Sequence, residues 1–461
     1  MTMEANLILD PLSNVDVVDG VDVLTNVLEP ITSNSVSCRF NIESRGFLQK
    51  DARLLFNVSH NGSKGDCAFN NQSGGLGAVQ RVILRYGTKV IHDIDFSGYV
   101  VARRQCTKNL SRRLNRDKYR YGVNPDWKYD NDGQLTFNST EYANSGQGNT
   151  PDGWRMAISQ DSSKPTQVSV PLRELLPIFR NPLCAFPLYA LRNEYQLNLQ
   201  IFWADASEYV VASADSGGAG QAPQAMPTIT IANPQLVLNY VYYPDEITEL
   251  YNKQINSADG YVVYYTDTIH NQSYIPASTT ENKTTHRIQM SGQELHKIAV
   301  SVRQEDSSDW FARACSKDMP QKRLNIRVND APLFSEDVEN QGWFNYLWSS
   351  ADGRLFLKNG QYSTALVKTK SDPIAASGLG VDADMQGQLN WMVVDFRKDR
   401  KQPVSLGNGL RVGLNPVELS LSYKPDATAD ANSYNKSYTL HIHSDITRVL
   451  QIRNGNVEVS F

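Results

Sequence analysis

The chain has 461 residues, more than one ordinary domain needs, and because all-β domains often reach about 200–250 residues, two domains are expected. The formal net charge is −4, which excludes a protein whose main task is to coat nucleic acid and leaves only local contacts with it. Tyrosine, at 22 residues, outnumbers phenylalanine and tryptophan, at 15 and 7. This aromatic-rich composition, interrupted by Asn, Ser, Gly and Pro, is typical of strands joined by loops.

Residues 1–34 are predicted to form an N-terminal arm. The segment is acidic and carries scattered Val, Leu and Ile, so it is too polar for a core and too apolar for a pure linker. Its start lacks the basic and apolar regions of a signal peptide, and no later apolar run reaches the roughly 18 residues that a membrane span needs. We therefore expect no signal peptide, no transmembrane segment, synthesis in the cytoplasm, and an arm that docks on a neighbour.

Alternation of apolar and polar residues predicts half-buried strands in the first half. It is clearest in YQLNLQIFW, where Tyr195, Leu197, Leu199, Ile201 and Trp203 share one face. Further strands are expected at SCRFNI, ARLLFNV, WRMAISQ and TITIANPQLVLNYVYY. Together with the hairpin RVILRYGTKVIHDID they make about eight strands, the number that a jelly-roll sandwich needs.

Two short helices are predicted. The first follows Pro171, and its apolar residues recur at helical spacing, so we expect it to cap a sandwich. These residues are Leu172, Leu175, Leu176 and Phe179. The second, DEITELYNKQINS, begins with an acidic turn and places Ile247, Leu250 and Tyr251 on one face. We place the boundary between two domains at this helix.

The second half repeats the pattern of the first. PVELSLSYK alternates like YQLNLQIFW, and RLNIRVNDAPLFSED aligns without gaps on RVILRYGTKVIHDID, with turns at Gly87-Thr88 and Asn329-Asp330. More strands are expected at YVVYYTDTIH, THRIQM, LHKIAVSVRQ, LNWMVVDF and SYTLHIH, and a hairpin around Asn454-Gly455 closes the chain. One β-domain has therefore been duplicated in tandem.

These patterns predict an all-β protein of two tandem eight-stranded jelly-roll β-sandwiches with a few short helices. We expect an arm at 1–34, a first jelly roll at 35–244, a linker helix at 245–258 and a second jelly roll at 259–461. Three long stretches rich in loop-forming residues, 121–163 and those starting at Ser213 and Ser371, are expected to serve recognition.

The only concentrated charge is a basic run between residues 103 and 120, with two tyrosines nearby. It consists of Arg103, Arg104, Lys108, Arg112, Arg113, Arg116, Lys118 and Arg120. One interpretation is an electrostatic contact with an acidic partner, preferably a protein such as a neighbouring subunit, with DNA as another option. The other interpretation is a solvated helix or loop.

No pattern indicates an enzyme, a cofactor or a metal site. His441 and His443 share one face of a strand, but no third ligand is suitably spaced, so surface polar residues are expected there. A GxSxG nucleophile motif and a phosphate-binding glycine loop are both missing from the sequence. The five cysteines lie far apart and form no CxxC pair, which predicts reduced thiols.

The segments SRGFLQKDARLLFNV, AVQRVILRYGTKVIHDI, VPLRELLPIF and FPLYALRNEYQLNLQIFW, taken in order, resemble the first domain of double jelly-roll major capsid proteins, most closely those of Polinton-like viruses and virophages. The resemblance implies a homotrimer that forms a pseudo-hexameric capsomer of an icosahedral DNA virus. It also implies partners: neighbouring capsomers, penton and minor capsid proteins, and the genome or a membrane on the inner side. No small-molecule substrate is expected.

A second class of function remains open, namely a soluble two-domain β-sandwich protein that binds carbohydrate or hydrolyses glycans. Such proteins use exposed aromatic side chains on loops to stack against sugars. The first candidates would be Trp127, Trp154 and Trp343. The two acids of a glycan hydrolase can come from distant strands and leave no linear motif.

Overall fold

In the computed structural model, strands occur in both halves of the chain. The described residues are 21–49, 52–61, 67–69, 74–98, 100–101, 127–129, 135–137, 158–159, 162–180, 186–212, 228–276, 282–288, 290, 293–304, 321–328, 330–333, 392–398, 407–413, 417–423 and 437–460.

The first half is built mainly of strands, joined by short helices. Its strands are β1 (Asp22–Leu28), β2 (Thr32–Ser33), β3 (Ser37–Ile42), β4 (Phe47–Leu48), β5 (Arg53–His60), β6 (Cys67–Phe69), β7 (Val79–Tyr86), β8 (Lys89–Asp95), β9 (Trp127–Tyr129), β10 (Leu135–Phe137), β11 (Thr166–Pro171), β12 (Phe186–Pro187), β13 (Leu197–Trp203), β14 (Val210–Ala212) and β15 (Ile229–Tyr242). Its helices are α1 (Leu172–Leu175), α2 (Ala206–Tyr209) and 3-10 turns at Gly74–Ala78, Pro177–Arg180 and Leu188–Ala190.

Eleven of these strands form a sandwich of two antiparallel sheets, while β6 pairs with β14 and β9 with β10 in two small sheets. One sheet has the order β11-β5-β15-β4-β12, with β1 along the opposite edge of β15, and the other has the order β2-β3-β13-β7-β8. The facing sides interlock where Phe56 of β5 packs on Trp203 of β13, with ring centroids 5.0 Å apart. In the second sheet Leu199 lies between Phe40 of β3 and Leu84 of β7, and all three are fully buried.

The alternation predicted for YQLNLQIFW is confirmed over β13. Leu197, Leu199, Ile201 and Trp203 face the core, and the residues between them are only partly buried. Tyr195 differs from the prediction, because it lies before the strand and is 46% exposed. Strand pairing thus begins two residues later than the apolar pattern suggests.

The second half begins with a helix and is otherwise built of strands. Its elements are α3 (Asp245–Ile255), β16 (Tyr261–Ile275), β17 (Asn282–Ile288), β18 (Gln293–Gln304), β19 (Gln321–Val328), β20 (Ala331–Pro332), β21 (Met392–Asp395), β22 (Leu410–Gly413), β23 (Val417–Tyr423), β24 (Tyr438–Arg453) and β25 (Asn456–Ser460). They form one sheet of order β16-β24-β18-β21, joined by β22 and β25, and a second of order β17-β23-β19-β20.

The two halves have the same strand order. The run β3-β13-β7-β8 corresponds to β17-β23-β19-β20, and β11-β5-β15-β1 corresponds to β21-β18-β24-β16. Even the register agrees, because Arg85 pairs with Val90 in the first hairpin and Arg327 pairs with Pro332 in the second, as the gapless alignment predicts. The duplication inferred from the sequence is therefore present in the structure, and β1 is the counterpart of β16.

The helix predicted after Pro171 is shorter than its apolar spacing suggested. Helix α1 ends at Leu175, and a separate 3-10 turn begins at Pro177. Proline has no amide hydrogen and disfavours a helical residue before it, so the α-helix cannot continue through this point. The apolar residues that defined the prediction, Leu172, Leu175, Leu176 and Phe179, are nevertheless all buried.

Helix α3 connects the two sandwiches. Asp245 and Glu246 lie in its first turn, where negative charge is favourable to the helix dipole. Its buried face carries Ile247, Tyr251 and Ile255, whereas Leu250 is only partly buried. The helix packs on the first sandwich, since the rings of Phe47 and Tyr251 lie 4.8 Å apart.

Candidate assembly interface

The free edge of β16 is covered by β8 of the first sandwich. The Tyr265 hydroxyl donates a hydrogen bond to the carbonyl oxygen of Ile91 at 2.9 Å, and its ring meets that of His92 edge-on at 4.7 Å. On the other face of β16, Phe96 packs on His270 with ring centroids 4.6 Å apart. Because odd and even side chains of a strand point to opposite faces, β8 and Phe96, the residue after it, together contact both faces of β16 across its outer edge.

A buried carboxylate lies at the centre of this contact between the two sandwiches, which we call the seam. Oδ1 of Asp267 lies 3.1 Å from Nδ1 of His92, and the two side chains are 2% and 0% exposed. The backbone N–H of Ile178 donates to Nε2 of His92 at 3.4 Å, so the proton on Nδ1 is the one that reaches Asp267. Oδ2 of Asp267 lies 2.9 Å from Nε of Arg448 in β24. The carboxylate therefore joins a histidine of the first sandwich to an arginine of the second.

His441 and His443 were expected to be surface polar residues, and this prediction is wrong. They are 4% and 1% exposed, and His270 stacks on both rings, at 5.2 Å and 4.8 Å. Phe96 of the first sandwich covers the group, with its ring 4.7 Å from that of His441. The prediction failed because the covering residue is more than 300 positions away, which no local pattern in β24 can reveal.

The carboxylate of Asp95, the last residue of β8, lies beside the histidine group of the seam. Its Oδ2 lies 3.6 Å from Nδ1 of His270. Burial alone would raise the pKa of Asp95, but its interactions with His270, with the backbone N–H of Phe96 and with the charge of Arg81 together lower it. Burial raises the pKa of Tyr265, which keeps its hydroxyl protonated as a hydrogen-bond donor. The seam thus combines aromatic, ionic and hydrogen-bonding contacts.

The apolar core of the first sandwich extends across the seam. Tyr261 and Val263 of β16, Leu450 and Ile452 of β24, and Val457 of β25 belong to the same packed cluster as the core of the first sandwich. The remainder of β16 and β24 contributes to a separate core within the second sandwich. Because rotation of one sandwich on the other would break a close-packed core, the two are held in one relative orientation.

The C-terminal hairpin also docks on the first sandwich. The hydroxyl of Tyr86 donates to the carbonyl oxygen of Gly455 at 2.8 Å and accepts a bond from the backbone N–H of Arg192 at 2.8 Å. Asn454 and Gly455 have φ values of +49° and +75°, as a tight two-residue hairpin turn requires. A Cβ atom at Gly455 would lie 2.5 Å from Cγ of Arg192, so glycine is needed here for close approach as well.

No protein-family profile matches the chain, and no curated protein sequence matches it. Solved structures do match. VP54 of PBCV-1, in a crystal structure fitted into a reconstruction of the virophage Sputnik, has a TM-score of 0.55 and 14% identity over 96% of this chain and 97% of that chain. The Faustovirus major capsid protein has a TM-score of 0.54 and 9% identity over 94% and 91%. The mavirus major capsid protein has a TM-score of 0.52 and 12% identity over 95% and 90%.

The chain has the double jelly-roll fold. The structural neighbours are viral major capsid proteins, and the likeness extends over nearly the whole length of both chains. The two sandwiches described above are the two jelly rolls. Two jelly rolls in tandem are what the resemblance inferred from the sequence implies.

Strand β1 leaves an apolar edge of the first jelly roll exposed. Val23 and Val27 on one face are 54% and 50% exposed, and Leu24 on the other face is 46% exposed. In the described part of the structure β1 pairs only with β15, so its outer backbone groups have no strand partner there. Natural proteins seldom leave such an edge open, because it can pair or pack with another chain. This strand lies within the segment predicted to be an arm.

The other residues singled out by sequence fall mostly outside the described residues. The whole basic run lies outside them: Arg103, Arg104, Lys108, Arg112, Arg113, Arg116, Lys118 and Arg120. The same is true of Trp154, Trp343 and most of the three recognition stretches. Trp127 lies in β9, which pairs with β10.

Within the described ranges, no group of three or more His, Cys, Asp or Glu residues is placed to hold a metal ion. Cys38 is a free, fully buried thiol, and burial raises its pKa to about 12. A thiol with so high a pKa remains protonated and is a poor nucleophile. None of the helices described is long and apolar enough to span a membrane.

Sequence reasoning missed the residues that join the two jelly rolls, namely His92, Asp267 and Arg448. One signal was available, since Asp267 stands inside the strand YVVYYTDTIH, where a carboxylate among apolar residues needs a partner. The partner could not be identified, because His92 is 175 positions away.

Proposed function

We propose that this chain is the structural major capsid protein of an icosahedral double-stranded DNA virus. The supporting observation is the match in fold to viral major capsid proteins over more than nine-tenths of the chain. In this proposal three copies form a pseudo-hexameric capsomer, and capsomers tile the shell of the virion. The role is structural and not enzymatic, and it requires no cofactor.

The rigid seam between the jelly rolls supports this proposal physically. A ring of three identical chains has threefold symmetry, but a chain made of two similar sandwiches gives that ring six similar units. The six units can be evenly spaced only if the two in each chain keep one orientation. The shared apolar core and the buried contact between His92 and Asp267 supply that constraint.

We further propose the division of the chain into an arm, a first jelly roll at 35–244, a linker helix at 245–258 and a second jelly roll at 259–461. The strand Asp22–Leu28 lies inside the proposed arm of 1–34 and extends a sheet of the first jelly roll by pairing with β15. The proposed partners are neighbouring capsomers, penton and minor capsid proteins, and the genome or a membrane inside the shell. Synthesis would take place in the host cytoplasm.

The test of this function is the absolute mass of the purified protein, measured by light scattering over a concentration series, together with negative-stain images. A stable species of three chains with a hexagonal outline is expected. A monomer that persists at every concentration, and that does not respond to added assembly factors, would contradict the capsid role. Binding of that monomer to a glycan array would then favour the carbohydrate-binding class.

We propose that the basic run contacts an acidic protein partner during assembly, and charge reversal tests it. Changing Arg112, Arg113 and Arg116 together to Glu should weaken capsomer or particle assembly, because it replaces attraction by repulsion at the contact. Particle yield, measured by sedimentation, should fall by about tenfold or more. The control reverses three exposed arginines of described strands: Arg85, Arg287 and Arg411. Equal yields from the two triple variants would indicate that the run is a solvated surface.

A further inference from the structure

Each jelly roll has two edge strands in equivalent positions. One ends the sheet that contains the hairpin, and the other lies at the outer edge of the opposite sheet. In the first jelly roll these are β8 and β1, and in the second they are β20 and β16. All four strands stand at the ends of their sheets or along an outer edge. The correspondence follows from the common strand order and from the shared register of the two hairpins.

Within the chain, one of these edge pairs is joined. Strand β8 lies along β16, and the residues in contact are buried: Ile91 is 1% exposed and Tyr265 is 1% exposed. The contact reaches both faces of β16, because His92 meets Asp267 on one face and Phe96 meets His270 on the other. The joined pair therefore covers β16 between Tyr265 and His270.

Among the described residues, no strand covers the counterpart pair. In β1, Val23, Leu24 and Val27 are about half exposed, and they occupy both faces of the strand as the covered residues of β16 do. At the end of β20, Leu333 is 41% exposed. In the gapless alignment of the two hairpins, Leu333 is the residue equivalent to Ile91. Apolar residues thus stand exposed on the two edges whose equivalents are buried within the chain.

We propose that the open edge of β1 in one copy packs against the β19–β20 hairpin of a second copy, in the relation that β16 has to β8 within a chain. The partner is a second copy because, in the described part of the structure, the surface that covers the equivalent edge is a jelly-roll hairpin of this same chain. This inference rests on the proposed capsid function and specifies which strands form the contact between subunits.

The geometry of such a contact is head to tail, since the two surfaces that meet are different. A head-to-tail contact either closes into a ring or propagates without end, according to the rotation that it imposes. If the contact between chains repeats the contact within chains, six jelly rolls follow one another around the ring. Three copies then leave no β1 edge open, which removes the hazard of an exposed apolar strand.

Two single substitutions test the contact. Val27→Glu on β1 and Leu333→Glu beside β20 each place a charge in the proposed apolar interface. Each should raise the dissociation constant of the trimer at least about tenfold in light scattering, because a buried unpaired charge is costly. The matched control is Tyr274→Glu, at a residue 60% exposed on β16 beyond the part that β8 covers, and it should leave the trimer intact. Circular dichroism should show an unchanged fold in all three variants.

A double variant separates a lost contact from general damage. The double change Val27→Lys with Leu333→Glu puts opposite charges on the two sides of the contact and should recover trimer relative to Leu333→Glu alone. Trimers that survive both single substitutions would overturn this inference while leaving the capsid role standing. In that case the chain's own N-terminal residues would be the remaining cover for β1. A wild-type chain that never forms trimers would instead contradict the proposed function itself.

Discussion

Replacing Asp267 by alanine is expected to lower the free energy of unfolding by about 3 kcal/mol. The carboxylate is 2% exposed and lies 3.1 Å from His92 and 2.9 Å from Arg448. Removing one partner of a buried pair leaves the other charge without compensation, which costs more than the pair itself contributes. The effect should lie at the lower end of the usual range, because Arg448 remains 17% exposed and keeps some contact with water. Urea denaturation followed by tryptophan fluorescence measures it.

The matched control for Asp267 is Asp93, which lies in the adjoining strand β8. Asp93 pairs with Arg81 at 2.6 Å, a shorter distance than in the buried pair, but the two side chains are 38% and 45% exposed. An exposed pair contributes little, so Asp93→Ala should cost less than about 1 kcal/mol. If the two alanine variants unfold at the same urea concentration, burial at the seam does not stabilise the protein in the way described. Asp267→Asn, which retains hydrogen-bond acceptance, should fall between Asp267→Ala and the wild type.

Replacing Phe47 by alanine is expected to cost about 3–5 kcal/mol, comparable to or larger than the effect of Asp267→Ala. Phe47 is 2% exposed, and three aromatic rings surround it at 4.8–4.9 Å: Tyr189, Tyr243 and Tyr251. Loss of the ring removes apolar burial and leaves a cavity between the first jelly roll and helix α3. Because Tyr251 belongs to that helix, the connection between the two jelly rolls should loosen as well. Thermal unfolding and limited proteolysis near residue 256 measure the two effects.

Tyr274→Ala is the control for this loss of aromatic surface. Its ring is 60% exposed, so truncation should change the free energy of unfolding by no more than about 0.5 kcal/mol. A small effect at Phe47, close to that of Tyr274, would mean that the aromatic cluster does not hold α3 in place. Protease resistance in Phe47→Ala equal to that of the wild type would contradict the proposed role of α3 in joining the jelly rolls.

Local patterns predicted the strands well where one face of the strand is buried and the other is not. The alternation in YQLNLQIFW returned as β13, with Leu197, Leu199 and Ile201 in the core, because period-two patterning is a direct consequence of strand geometry. The same reasoning placed the Asn454-Gly455 turn, since few residues adopt its left-handed backbone. Pro177 shows where a pattern misleads, because the apolar spacing across it was helical although the backbone could not be.

By itself, the sequence determined the all-β class, the tandem duplication and the register of the repeated hairpin, because these depend on neighbouring residues and on the comparison of one half with the other. Only the tertiary structure decided which edges are covered and which polar groups are buried. His441 resembles an ordinary polar residue of a half-exposed strand until Phe96 is laid against it, and the partner of Asp267 becomes known only when β8 brings His92 to it. The physical reason is that burial depends on every element packed against a residue, and here those elements come from the other half of the chain.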